Sequence, residues 1–194
     1  MNARGEILRG RSRVLIELMV VVFLASLIKL GSAKIAQAYQ LRGCYYEVGT
    51  ISPISYYYNS VSSSYQTAFY GAQSAWDATA VPGYFAYTSN PSSAEIDVFD
   101  SSYSASWWAL NSMTGCTGSL RYVSNWTQIQ FNTRTMSSLT AYRKKLVAEH
   151  EIGHSYGLGH VYSGCYVMRQ GTDKFTCGSM PTYDDVLGVQ NAPY

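Results

Sequence analysis

The sequence predicts a single mixed α/β domain, and three observations carry that prediction. Runs rich in tyrosine and branched residues, the composition of strands, lie on either side of segments whose apolar residues recur at helical spacing. The order is strand, helix, strands, then two helices. A length of 194 residues is enough for one well-buried core and too short for two ordinary domains.

The chain opens on a basic and then apolar stretch. Arg9, Arg11 and Arg13 precede an apolar run from Val14 to Ile28, and Ala36-Gln37-Ala38 supplies a small-residue cleavage pattern before Tyr39. Residues 1–38 therefore read as a secretory signal peptide and residues 39–194 as the functional domain. The uncharged stretch from Leu18 to Ile28 is eleven residues, short for a helix crossing a hydrocarbon layer about 30 Å thick. Glu17 leaves an alternative open. The run Val14-Leu15-Ile16-Glu17-Leu18-Met19-Val20-Val21-Val22 resembles the start of type IV prepilins, which would make residues 1–38 a membrane leader cut between Ser12 and Arg13.

Residues 1–38 also hold six of the fourteen basic side chains and two of the twelve acidic ones. The remainder is slightly acidic and has no basic patch, so nucleic acid is excluded as a partner. Its many Ser, Tyr and Gly residues and few charges suit a secreted, extracellular monomer, with membrane contact only through the leader.

Ile54 to Asn59 reads as the first strand. Ser63-x-x-Gln66 has the form of a capping box opening a helix to about Thr79, in which Ala68, Ala72, Ala75 and Trp76 form one apolar stripe. Pro82-Gly83 stops it. Tyr84 to Thr88 and Glu95 to Asp100 read as strands, the second with Ile96 and Val98 on one face. Asp97 and Asp100 are possible calcium ligands, but no dedicated calcium loop supports them and exposed carboxylates are the simpler reading. Residues 101–117 read as a loop in which Trp107 and Trp108 pack, or contact substrate. Gly118 to Val123 and Thr127 to Asn132 read as strands, and Asn125-Trp126-Thr127 fits a glycosylation sequon. Leu139 to Tyr156 reads as a helix capped by Ser137 or Ser138, with Tyr142, Leu146, His150 and His154 along the face turned to the sheet.

The chain has three histidines, and all fall between His150 and His160. On a helix His150 and His154 point from one face, one turn apart, where a single ion can bond both imidazoles. Glu151 sits beside them. It cannot easily reach the same coordination position, but it can reach a water on the open side of the metal and take its proton. Gly157 ends the helix, and the loop through Leu158 and Gly159 carries His160 round as a third ligand. Three nitrogens leave one position open.

The run His150-Glu151-Ile152-Gly153-His154-Ser155-Tyr156-Gly157-Leu158-Gly159-His160 resembles the zinc-binding motif of metzincin endopeptidases. Met168, eight residues past His160, is similar in position to the methionine that metzincins place in a turn beneath the zinc. Met180, before Pro181, is the more distant rival. Pro181 to Gln190 resembles the closing helix of the matrixin branch. The resemblance implies a secreted, matrixin-like zinc endopeptidase, with Glu151 as general base. It implies a twisted, mostly parallel sheet of about five strands with three helices and a zinc cleft below an edge strand. An extended protein or peptide substrate pairs antiparallel with that edge, here Leu120, Arg121, Tyr122 and Val123. One Zn2+ is expected, because matrixins hold their second, structural zinc through histidines that this chain does not have. Gln170 stands where some branches have a tyrosine ligand, and Arg169-Gln170-Gly171 lacks the matrixin proline, so substrate preference does not carry over. A secreted binding module that keeps the fold and metal without turnover is the alternative.

All four cysteines lie beyond residue 38, which favours two disulfides in an oxidising compartment. Pairing Cys165 with Cys177, and Cys44 with Cys116, puts a bridge across the segment that holds Met168. Such a bridge stabilises by roughly 3 kcal/mol in the loop-entropy picture. Cys44 as a thiolate on the zinc is disfavoured, since Leu41-Arg42-Gly43-Cys44 does not reproduce the matrixin switch motif. The secreted form should begin at Tyr39, and N-terminal sequencing checks this; a methylated Arg13 at the start would support the prepilin-like reading instead.

Overall fold

Alternation along the strands divides the sheet into an apolar face and a polar one, and the helices cover the apolar face. The computed structural model describes residues 39–42, 53–113, 127–176, 178 and 181–192. They fall within the unit Ala38–Tyr194. Among them the short β1 (Gln40–Leu41) and β7 (Leu158–Gly159) pair antiparallel. Strands β2 (Ile54–Tyr58), β3 (Phe85–Tyr87), β4 (Ile96–Ser101), β5 (Ala109–Met113) and β6 (Thr127–Asn132) form one sheet in the order β3-β2-β4-β6-β5. Every pairing in it is parallel except β5 with β6. The mixed α/β class and the five-stranded, mostly parallel sheet expected from the sequence are what the chain adopts.

Register shows which side chains share a face. Tyr56 stands beside Ile96 and Tyr58 beside Val98, Val98 beside Ile129, and Ile129 beside Asn111, so these residues all project to one side. On that side lie the helices α1 (Ser63–Asp77) and α3 (Ala141–Ser155). Tyr65 of α1 stacks on Phe131, and Phe69 packs 4.9 Å from the Tyr56 ring. Trp76, fully buried, donates its indole N–H to Glu149 O at 2.9 Å and so ties α1 to α3. Truncating a buried tryptophan of this kind costs about 3–5 kcal/mol, a large part of what holds the helix layer together. Asp97, Gln128, Gln130 and Ser112 occupy the other face.

The helix boundaries differ from expectation in their caps. No capping box forms at Ser63: the N-cap of α1 is Ser62, whose Oγ and backbone N–H both go to Asp100, while Gln66 Nε2 donates to Val61 O. The carboxylate at the end of β4 outcompetes the local glutamine because it accepts from both the N–H and the hydroxyl of Ser62. Ser137 and Ser138 do not cap the long helix either. They follow a separate short helix, α2 (Thr133–Met136), and Thr140 caps α3 by accepting from Arg143 N. Tyr142, expected on the sheet-facing stripe, is 47% exposed, because α3 starts beyond the edge of the packed layer there.

The larger correction concerns residues 101–117. They are not a loop throughout: residue 101 ends β4, and Ala109–Met113 form β5. The alternation there is inverted, with Leu110 40% exposed and Asn111 turned inward and buried, so no apolar period announces the strand. Several expectations fall outside the described residues: the leader and its cut, the strand from Gly118 to Val123 with the expected substrate edge Leu120 to Val123, the start of the sequon, and Cys44, Cys116, Cys177 and Met180. Cys165 is described and is disulfide-bonded. No helix among the described residues is long and apolar enough to cross a membrane.

Asn132, fully buried at the end of β6, fastens the segment that leads into β5. Its Oδ1 accepts from Tyr103 N and Arg134 N, and its Nδ2 donates to Ala105 O and Trp107 O, both at 3.0 Å. Replacing Asn132 by Ala takes the acceptor from Tyr103 N and Arg134 N and leaves Ala105 O and Trp107 O only their bonds from Arg134 and Thr135, so it should lower stability by about 1–3 kcal/mol. Urea unfolding of the variant beside the parent protein measures this.

Candidate metal centre

The centre is built on the C-terminal half of α3, where the buried run from Leu146 to Ser155 leaves little freedom for any side chain. His150 and His154 lie on one face of the helix, both nearly enclosed. The helix ends as Gly157 N bonds His154 O, and Gly157 adopts φ +86°, a conformation that favours glycine. That turn sends the chain back into β7, and His160 follows it. One ring nitrogen from each of the three histidines lies within 4.8 Å of the other two.

Two hydrogen bonds decide what those nitrogens can do. His150 Nδ1 donates to Val167 O at 2.8 Å and His154 Nδ1 to Leu158 O at 2.7 Å. Carbonyl oxygens only accept, so the proton of each neutral ring sits on Nδ1 and the lone pair on Nε2. His160 Nε2 stands 3.1 Å from both of those Nε2 atoms. Two lone pairs and the Nε2 of a third ring thus converge on one point, where a cation can take all three nitrogens as ligands. Bonds of 2.0–2.1 Å in a tetrahedral zinc–imidazole site put neighbouring nitrogens about 3.3 Å apart, so the spacing fits. The set of three imidazoles, with carbonyls behind two of them, suits a single zinc-like ion.

Two carboxylates flank His150, and their surroundings separate them. Glu149 faces away from the cleft and pairs with Lys145 Nζ at 2.7 Å. Burial pushes its carboxyl up to about 7, with Lys145 pulling the other way. Glu151 lies on the cleft side and borders both of its lobes. One lobe, of about 340 Å3, is walled by Trp107, Trp108, Val147, His150, Gln170 and Gly171. The other, of about 360 Å3, is walled by Arg42, Leu110, Asn111, His154 and Tyr162. Trp107, Ala109, Glu151 and His160 border both and mark the centre of the cleft.

Met168 is buried below the ligands. A Cβ on Gly153, between the two helical histidines, would collide with its sulfur and come within 3.1 Å of the Trp76 ring. Val161, next to His160, donates to Met168 O at 3.0 Å and accepts from Gln170 N at 3.1 Å. Asp185, at the start of α4 (Tyr183–Gln190), accepts from Val167 N at 3.1 Å and forms a capping box with Thr182. A chain of bonds therefore runs from α4 through Val167 to the His150 ring.

His150, Glu151, His154, His160 and Met168 thus meet at one place. Leu120 to Val123 are outside the described residues, and among those described the open edge beside the centre belongs to β5. Sequence reasoning missed three residues there. Asn111 donates to Glu151 O at 2.9 Å and Ser155 Oγ at 2.8 Å, locking α3 to the sheet, but an isolated Asn gives no local signal. Arg42 reaches the cleft from β1. Asp185 was readable, since Thr182-x-x-Asp185 has a capping-box spacing.

Comparison with protein-family models and with curated proteins gives no match for the chain. The site's own geometry carries the functional reading.

Gly153→Ala tests the packing beneath the ligands. The methyl group forces Met168 and Trp76 apart, so stability should fall by about 1–3 kcal/mol and zinc should be held more weakly. Thermal melts with and without a chelator, together with a competitive zinc titration, read both effects.

Proposed function

We propose that the chain is a zinc-dependent endopeptidase of the matrixin-like metzincin type, secreted and acting on extracellular proteins or peptides. The observation that carries this reading is the convergence of three histidine nitrogens beside Glu151, in a cleft bordered by a strand edge that no other described strand covers. His150, His154 and His160 would hold one Zn2+. When bound, the ion supplies Lewis acidity toward a carbonyl oxygen and lowers the pKa of a water, leaving a nucleophile available at neutral pH.

The remaining work falls to the chain's own residues. Glu151, on the cleft side of α3 and steadied through its backbone by Asn111, takes a proton from the attacking water and delivers it to the leaving amine. The open edge of β5 offers backbone groups to an extended peptide, which pairs antiparallel with it. The lobe walled by Trp108, Val147 and Gly171 accepts a side chain. Met168, as the residue of a turn beneath the ligands, keeps the helix and the His160 loop at a fixed separation. A structural zinc would have a fourth protein ligand and no need of a base, whereas among the described residues the metal-ligand cluster comprises the three histidines and Glu151 stands beside it. The disulfide-bonded state of Cys165 supports export to an oxidising compartment.

Glu151→Gln should lower peptide hydrolysis by about 10²–10⁴-fold, the usual worth of a positioned base, with zinc still bound at one equivalent. Casein or gelatin cleavage and metal analysis of parent and variant measure the two quantities. A parent protein that binds zinc and cleaves neither substrate overturns the endopeptidase reading in favour of a secreted binding module.

A further inference from the structure

Arg42 is the one cationic side chain lining either lobe of the cleft among the described residues. Its placement is built in rather than incidental. β1 pairs with β7 through Gln40 and Gly159 and through Leu41 and Leu158, and Arg42 N continues the ladder to Gly157 O at 2.7 Å. Tyr39 seats against Gly188 of α4 so closely that a Cβ there would come within 2.8 Å of it. The guanidinium therefore leaves the strand beside the loop that carries His160.

The hydrogen-bond pattern of β5 shows what it meets there. Trp108 O accepts from Asn132 N, so by alternation Leu110 and Ser112 turn their backbone groups to β6, and those of Ala109 and Asn111 face the side on which no other strand is described. Arg42 lies over that edge: Nη1 and Nη2 reach Asn111 O at 3.4 Å, and Nη1 reaches Asn111 Oδ1 at 3.5 Å. These are long contacts at the limit of hydrogen bonding, and a guanidinium offers five donors. An ionised carboxylate would bind it more strongly. A peptide running antiparallel to β5 places the part before the scissile bond along Asn111 and the part after it along Ala109. The Arg42 lobe therefore receives residues on the N-terminal side of the cut.

We propose that Arg42 is a specificity-determining residue that holds the carboxylate of an Asp or Glu side chain N-terminal to the scissile bond, so that the substrates are acidic extended peptides. This assignment rests on the endopeptidase reading for its orientation of the peptide. Tyr162, 67% exposed in the same lobe, gives the acidic side chain an aromatic wall for its methylene groups.

The test uses fluorescently labelled extended peptides that differ only in carrying Glu, Gln or Lys on the N-terminal side of the cut. Binding is measured to the zinc-loaded full chain carrying Glu151→Gln, and turnover to the parent protein. The Glu peptide should bind about five- to tenfold more tightly than its Gln twin at low salt, and the difference should shrink as salt is raised. Adding Arg42→Glu should make the Lys peptide the tightest, an inversion that mere loss of structure does not produce. Adding Arg42→Lys should keep Glu ahead of Gln, which guards against a reversal variant that folds poorly. Equal binding of the Glu and Gln peptides, an unchanged order with Arg42→Glu, or no binding of any peptide overturns the assignment. A binding preference without cleavage by the parent keeps Arg42 as the carboxylate-binding residue but removes the endopeptidase reading and with it the placement relative to a cut; cleavage without preference keeps the endopeptidase reading and overturns the assignment of Arg42.

Discussion

Two imidazole N–H groups donating to backbone carbonyls set the rest of the centre. The bonds from His150 to Val167 O and from His154 to Leu158 O fix both tautomers and aim both Nε2 lone pairs at one point. Because the acceptors are backbone atoms of two different segments, the turn at Val167 and strand β7, the orientation of the rings depends on where those segments are held. Asp185 and the Val161–Met168 ladder hold one, and β1 holds the other. The parts of the fold nearest the centre are thus supports for two carbonyl oxygens.

The sheet contributes by what it leaves open as well as by what it buries. Its apolar face seats α1 and α3, and Asn111 adds a polar lock between β5 and α3 where an apolar residue would give only contact. Such a buried amide is tolerated because its donors reach Glu151 O and Ser155 Oγ. The same strand has one side, beside the histidines, against which no other described strand lies. A peptide and a metal ion could therefore be presented to Glu151 by elements already anchored to one another.

The helix that carries the histidine cluster was legible because its signal is local: His150, Glu151, His154, Gly157 and His160 stand at spacings that the geometry of one helix and one turn requires. The sheet was legible through Ile96, Val98, Ile129 and Phe131, apolar at every second position. β5 was not, because its inward residue is Asn111 and its outward one Leu110, the reverse of the pattern that marks a half-buried strand. Arg42 was invisible for a different reason: it reaches the cleft through pairing with residues more than a hundred positions away in the sequence. The cap of α1 went to Asp100 of β4 rather than to Gln66, another contest settled by tertiary neighbours.

X-ray absorption spectroscopy of the purified, zinc-loaded protein bears most directly on the three-histidine centre. The expected result is one zinc per chain with three imidazole nitrogens at about 2.0–2.1 Å and one further light-atom ligand from solvent. A sulfur scatterer near 2.3 Å, a fourth protein ligand closing the site, or an ion bound away from His150, His154 and His160 would contradict it.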